Sequence, residues 1–179
     1  MIGLFLKKLS INGLLVDYLL KMKTLVLLRH AKSSWDYPLD DIDRPLKSKG
    51  VHKITRVSKE NKRIFAISDA VITSPAIRAV HTANILIRET NLEFNKLLIN
   101  EYLYTLSSIS VEIEIKRIPD KFDYVIFVGH NPAFTEIINK VAKKKINNMP
   151  TASWAKIVFK ENNWSEVTNG KLTLDYSIK

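Results

Sequence analysis

The chain has 179 residues, within the range of a single domain and long enough to bury a sizeable core. It contains no cysteine, which excludes a disulfide framework and a thiolate metal site and leaves the cytoplasm as the default compartment. Lys and Arg outnumber Asp and Glu by 28 to 18, a net charge of +10 that attracts anions, but only 7 of the basic residues are arginines and the lysines are scattered, so no nucleic-acid partner is expected.

Residues 1–21 are apolar but interrupted by Lys7, Lys8, Asn12, Gly13 and Asp17, so no run approaches the ~20 residues that span a bilayer. No small-residue cleavage site follows. The expectation is a dispensable extension over residues 1–21, with a membrane-surface helix as the alternative, and one domain over residues 22–179. Residues 25–28 are uniformly apolar and too few for a helix, which suits a strand buried on both faces. The run stops at Arg29, so His30 sits where the strand ends. Asp36, Pro38, Asp40, Asp41, Asp43 and Pro45 make residues 33–45 a loop.

Residues 48–63 read as an amphipathic helix burying Val51, Ile54, Val57 and Ile64, with His52 solvated. A strand over residues 70–73 meets Ser74, a good N-cap, and Pro75, a good first helical residue. The spacing then predicts a helix to about Glu89 that buries Ile77, Val80, Ile85 and Leu86. It carries Arg78 in its first turn and His81 about a turn later, as a packing or supporting residue. A short strand over residues 97–100 leads to Glu101, Tyr102, Leu103 and Tyr104. Within residues 107–118, Val111, Ile113 and Ile115 alternate like a strand, whereas a serine cap, Glu112 with Lys116, and Pro119 suit a helix. Helix is the reading adopted, because a crossover must precede the next parallel strand. That strand covers residues 124–128 and is followed by Gly129, His130, Asn131 as N-cap and Pro132 as first helical residue. Its helix continues through Ile137, Ile138 and Val141 into a lysine cluster, residues 140–145, that complements the helix dipole. Residues 154–159 and 172–176 are closing strands.

In open α/β sheets ligands collect beyond the carboxyl ends of the strands. Two helix N-termini, arginines and histidines converging there would hold a compact anion such as phosphate. The ordered segments RHAKSSW, SPAIRAVHTA and VGHNPAF resemble the histidine phosphatase superfamily, with the phosphoglycerate-mutase-like fold, in the manner of its small SixA-like phosphohistidine phosphatases. The resemblance covers about residues 23–159, with Ala31 where most of the superfamily has glycine. It implies a three-layer α/β/α sandwich with a mostly parallel central sheet, and metal-independent catalysis with no cofactor. By the same resemblance His30 is the nucleophile, Arg29 and Arg78 clamp the phosphoryl oxygens, and His130 donates to them. Arg44, in the DRPL segment, is either an extra phosphate ligand or the salt-bridge partner of a neighbouring aspartate, and the loop carboxylates are suited to orienting the arginines. Glu101 is the candidate proton donor, with a cap or salt-bridge role as the alternative. The preferred function is a phosphohistidine phosphatase acting on a phosphorylated protein. A small-molecule phosphomonoesterase comes second and a non-catalytic phosphate or nucleic-acid binding module third; the oligomeric state is open.

Overall fold

Leu25, Val26, Leu27 and Leu28 are completely buried and form the centre of β1 (Thr24–Arg29). Successive strand residues point to opposite faces. Leu25 and Leu27 therefore enter one core, with Val125, Phe127, Phe134 and Trp164, while Val26 and Leu28 enter another, with Ile126, Val128, Ile54 and Leu86. Two cores on one sheet make three layers. The computed structural model describes residues 22–141 and 145–174; the expectations for residues 1–21, for part of the lysine cluster and for the end of the last strand lie outside them.

The other strands are β2 (Ala70–Thr73), β3 (Leu97–Ile99), β4 (Tyr124–Gly129), β5 (Trp154–Phe159) and β6 (Gly170–Leu174), in the order β3-β2-β4-β1-β5-β6. β3, β2, β4 and β1 are parallel, and β5 and β6 add an antiparallel edge. On one face lie α1 (Ser48–Glu60), α2 (Lys62–Phe65) and α3 (Ile77–Thr90); on the other lie α4 (Ser108–Lys116) and α5 (Ala133–Val141). This is the expected α/β/α sandwich. Among the described residues no helix is long and apolar enough to cross a membrane.

Register is fixed at both ends of β1. Before the strand, Lys23 is 1% exposed and its ammonium donates to the carbonyls of Asp120 and Phe122 at 2.7 and 3.1 Å and to the Asp123 carboxylate at 2.9 Å. That buried cation ties the start of β1 to the turn entering β4. At the far end Arg29 lies beside Gly129, and His30 N–H donates to the Gly129 carbonyl at 3.0 Å. The carboxyl ends of β1 and β4 are thus level, and the histidine following each strand is brought beside the other.

The helices depart from expectation in their starts. α3 begins at Ile77, after Ala76, and not at Pro75. Ile85 and Leu86 are buried as expected, but in its first turns Arg78, Ala79, Thr82 and Ala83 take the buried positions, leaving Ile77 at the surface and Val80 half-buried. His81 is exposed and makes no packing face. The helix over residues 48–63 breaks at Asn61, whose side-chain amide donates to the Val57 carbonyl at 2.9 Å. Residues 108–116 are helical as adopted, with the Ser107 hydroxyl accepting the Ser110 N–H. Glu112, however, pairs across the layer with Lys140 of α5 and not with Lys116.

Candidate active site

The carboxyl ends of β1, β2 and β4 open into a cavity of about 550 Å³. Arg29, His30, Arg44, Arg78 and His130 all line it, joined by Trp35, Asp41, Tyr104, Leu106 and Asn131. Sequence reasoning placed the first five there, and the fold brings them together. Glu101 is not with them: it is exposed, opens a short 3₁₀ turn (Glu101–Leu103) after β3, and lines a separate cavity with Glu114 and Arg117. β3 is the edge strand, with β2 between it and the central pair, so the residue after β3 starts one strand too far out.

His30 is 8% exposed, and its Nδ1 lies 2.8 Å from the Ala31 carbonyl. A carbonyl only accepts, so Nδ1 carries the proton and Nε2 keeps its lone pair. Burial is the largest cause that lowers the imidazole's pKa, with the charges of Arg78, Arg29 and Arg44 adding to it, and together they bring it to about 4. The backbone after His30 is held as well: Ala31 N–H donates to the Thr82 hydroxyl at 3.0 Å, and that hydroxyl donates to the Arg78 carbonyl at 2.6 Å. Thr82 therefore ties the turn after His30 to the helix carrying Arg78. Ala31 is not among the residues with left-handed backbone, so its methyl is accommodated without strain.

His130 sits with its ring centroid 5.0 Å from that of His30 and 5.6 Å from that of Tyr104. Its Nε2 is 2.8 Å from the Ser74 hydroxyl, which also accepts the Ala76 N–H at 3.3 Å. Ser74 is thus a histidine-orienting residue and not the helix cap expected of it. Burial first, then the neighbouring His30 and Arg78, brings the His130 pKa down to about 3. Asn131 likewise does not cap: its amide donates to the Asn148 side chain at 2.7 Å and the Met149 carbonyl at 3.1 Å. The same two residues receive Arg29 Nη1, at 3.4 and 2.6 Å, which fixes that guanidinium at the cavity wall.

Arg44 and Arg78 are 7% and 4% exposed, and one carboxylate holds both. Arg44 donates from Nε and Nη2 to Asp41 Oδ1 at 3.0 and 2.7 Å, and Arg78 donates from Nη2 to Oδ2 at 2.7 Å. Arg78 Nη1 also donates to the Asp41 backbone carbonyl. The Tyr104 hydroxyl donates to Oδ2 at 2.8 Å, Arg44 Nη1 donates to the Ser33 hydroxyl at 3.0 Å, and Trp35 stacks on the Arg44 guanidinium at 3.5 Å. Burial pushes the Asp41 carboxyl upward, but the hydrogen bonds from Tyr104, Arg78 and Arg44 outweigh it and hold the pKa at about 2. The salt bridge expected of Arg44 is present, to Asp41, and the same side chain lines the cavity. Asp41 and Tyr104 were not singled out in the sequence. An Asp three residues before Arg44 is a local signal for the first; nothing local marks the second.

Among the described residues no three His, Cys, Asp or Glu side chains gather as a metal site requires. What the cavity offers is a neutral imidazole with a free Nε2 lone pair beside three guanidiniums and a second neutral histidine, a lining suited to a compact anion.

Residues 25–99 match the family model of the histidine phosphatase superfamily, branch 1. None of the curated proteins compared with the chain matches it. Among solved structures, the protein histidine phosphatase SixA complexed with tungstate superposes with a TM-score of 0.71 at 17% identity, covering 84% of this chain and 94% of that one. A protein assigned as a phosphohistidine phosphatase SixA from Agrobacterium tumefaciens gives 0.66 at 18% identity, covering 88% and 97%. Phosphoglycerate mutase from Bacillus anthracis str. Sterne gives 0.66 at 18%, covering 86% and 92%. The chain thus has the phosphoglycerate-mutase-like fold of these structures, and the segment carrying its first three strands bears the sequence signature of the histidine phosphatase superfamily.

Proposed function

We propose that this protein is a phosphatase that passes a phosphoryl group to His30 Nε2 and then to water, and that its substrate is a phosphohistidine on another protein. The observation that carries the reading is the neutral His30, its tautomer set by the Ala31 carbonyl, inside a cavity walled by Arg29, Arg44 and Arg78. Nε2 attacks phosphorus and the leaving group departs on the opposite side. The guanidiniums take the charge spread over the equatorial oxygens. With the Ser74 hydroxyl donating to His130 Nε2, His130 Nδ1–H supplies a further donor to those oxygens. In the second step water attacks the phosphorus on Nε2, the P–N bond breaks, and the protons of the water stay with the phosphate released. Because Nδ1 already holds its proton, the imidazole leaves neutral and needs no acid.

Leaving-group chemistry supports phosphohistidine over an ester. Among the described residues lining the cavity Asp41 is the one carboxylate, and it is ionised and engaged by two arginines, which unfits it to give a proton. An alkoxide leaving group needs that proton; a protonated phosphoimidazole does not. The rim supports a macromolecular substrate, since Trp35 and Leu106 border the cavity while 71% and 65% exposed. Turnover of a phosphohistidine peptide beside an alkyl phosphate tests the reading. The expected result is turnover of the peptide with at least ~10²-fold lower kcat/KM on the ester, the factor a positioned acid supplies, and Glu101→Gln unchanged on both. Equal turnover of both substrates, or a Glu101→Gln loss on the ester, would replace it with a general phosphomonoesterase.

A further inference from the structure

Four donors from three side chains converge on the Asp41 carboxylate: Nε and Nη2 of Arg44, Nη2 of Arg78 and the hydroxyl of Tyr104. We propose that Asp41 is a positioning residue for phosphoryl transfer, its carboxylate bridging Arg44 and Arg78 so that two like charges are held at a fixed separation across the cavity wall. The inference rests on the phosphatase reading and adds a role to a residue that does not itself touch the reacting atoms.

Each guanidinium is immobilised by more than charge. Arg44 has Asp41 along its Nε–Nη2 edge, Ser33 on Nη1 and Trp35 against its face. Arg78 reaches both the carboxylate and the backbone carbonyl of Asp41 through its two terminal nitrogens. A two-point hold on the terminal edge fixes the plane of the ring-like group as well as its place. Tyr104 then pins the second carboxylate oxygen, and its ring packs edge-on against His130. One carboxylate consequently sets the geometry of two arginines and, through Tyr104, borders the second histidine. Without it Arg44 and Arg78 repel each other in a buried setting, and an incoming phosphoryl group would have to assemble the clamp it binds to.

Asp41→Asn removes the charge and leaves one acceptor in place of two. Steady-state kinetics on the phosphohistidine peptide should show kcat/KM down by about 10²-fold, the scale of a misplaced catalytic group, with most of the loss in kcat. Inhibition by vanadate, which mimics the five-coordinate transition state, should weaken more than inhibition by inorganic phosphate. In an Arg44→Met background, where one half of the bridge is already gone, the same substitution should cost less than half as much on a logarithmic scale. Thermal melting is followed alongside. If Asp41→Asn does not fold, Asp41→Glu keeps the charge but displaces it by a methylene, and at least a tenfold loss of kcat/KM with the same vanadate-over-phosphate pattern is expected. Unchanged kcat/KM and vanadate inhibition in a folded variant would overturn the inference, as would tighter binding of phosphate, which would mean that the carboxylate competes for the arginines. A native protein that neither turns over any phosphorylated substrate nor binds phosphate would remove the phosphatase reading itself; an active native protein with an indifferent Asp41 variant would remove only this inference.

Discussion

Lowering the pH tests the role proposed for His30, because it separates an imidazole tuned by its surroundings from an ordinary histidine. Burial, with the nearby arginine charges, brings His30 from 6.5 to about 4. At pH 5.5 an imidazole with a pKa of about 4 is about 97% neutral, whereas one at 6.5 would be only about 9% neutral, a tenfold difference in competent enzyme. Because kcat/KM reports the free enzyme and free substrate, its acid limb should lie near 4 once the substrate's own ionisation, measured separately, is divided out. The companion measurement is ¹⁵N NMR of the imidazoles, with His30 assigned from a His30→Asn variant. An acid limb between 6 and 7, together with a His30 imidazole titrating there, would refute the claim that enclosure among the arginines keeps the nucleophile neutral.

The same shift has a stability side. Between pH 6.5 and about 4 the unfolded state binds a proton at this position that the folded state refuses, so stability falls as pH drops through that window. At about 1.4 kcal/mol per pH unit the loss from His30 alone approaches about 3 kcal/mol.

His30→Ala should lower turnover on the order of 10⁴-fold or more, the scale on which removing a nucleophile acts. It should melt near the native temperature at neutral pH and lose less stability than the native protein on acidification, having shed a group that must stay neutral. Lys23→Met should destabilise by about 2 to 4 kcal/mol, read from denaturant midpoints, because it strips the shared donor from two carbonyls and a carboxylate at the base of β1. Turnover below the melting temperature should survive, since Lys23 lies at the opposite end of the strand from His30.

Much of this was legible in the chain because the informative signals are short-range. A uniformly apolar run ending in Arg29 and His30 marks a central strand and places both residues at its carboxyl end. The Ser74 and Asn131 assignments failed for one reason: a cap preference is local, and each side chain found a tertiary partner instead, His130 for the serine and residues 148–149 for the amide. Tyr104 was invisible because it meets Asp41 from 63 residues away along the chain. Glu101 falls outside the cavity of the two histidines because being next after a strand says nothing about which position in the sheet that strand takes.

On the proposed phosphatase reading the arginine charges act on His30 in two opposed ways, and a bound phosphoryl group would change the balance. In the free enzyme they add to burial in lowering its basicity, which helps keep Nε2 unprotonated but also makes it a weaker nucleophile. A bound phosphoryl dianion offsets those charges directly beside the imidazole, so the pKa of His30 in the complex must lie above its value in the free enzyme. Nucleophilicity therefore rises when there is something to attack. The acid limb of kcat, which reports the complex, should accordingly stand at a higher pH than the limb of kcat/KM near 4. Coincident limbs would mean that the phosphoryl charge is neutralised elsewhere than at Arg29, Arg44 and Arg78, and the cavity's three guanidiniums would then need another task.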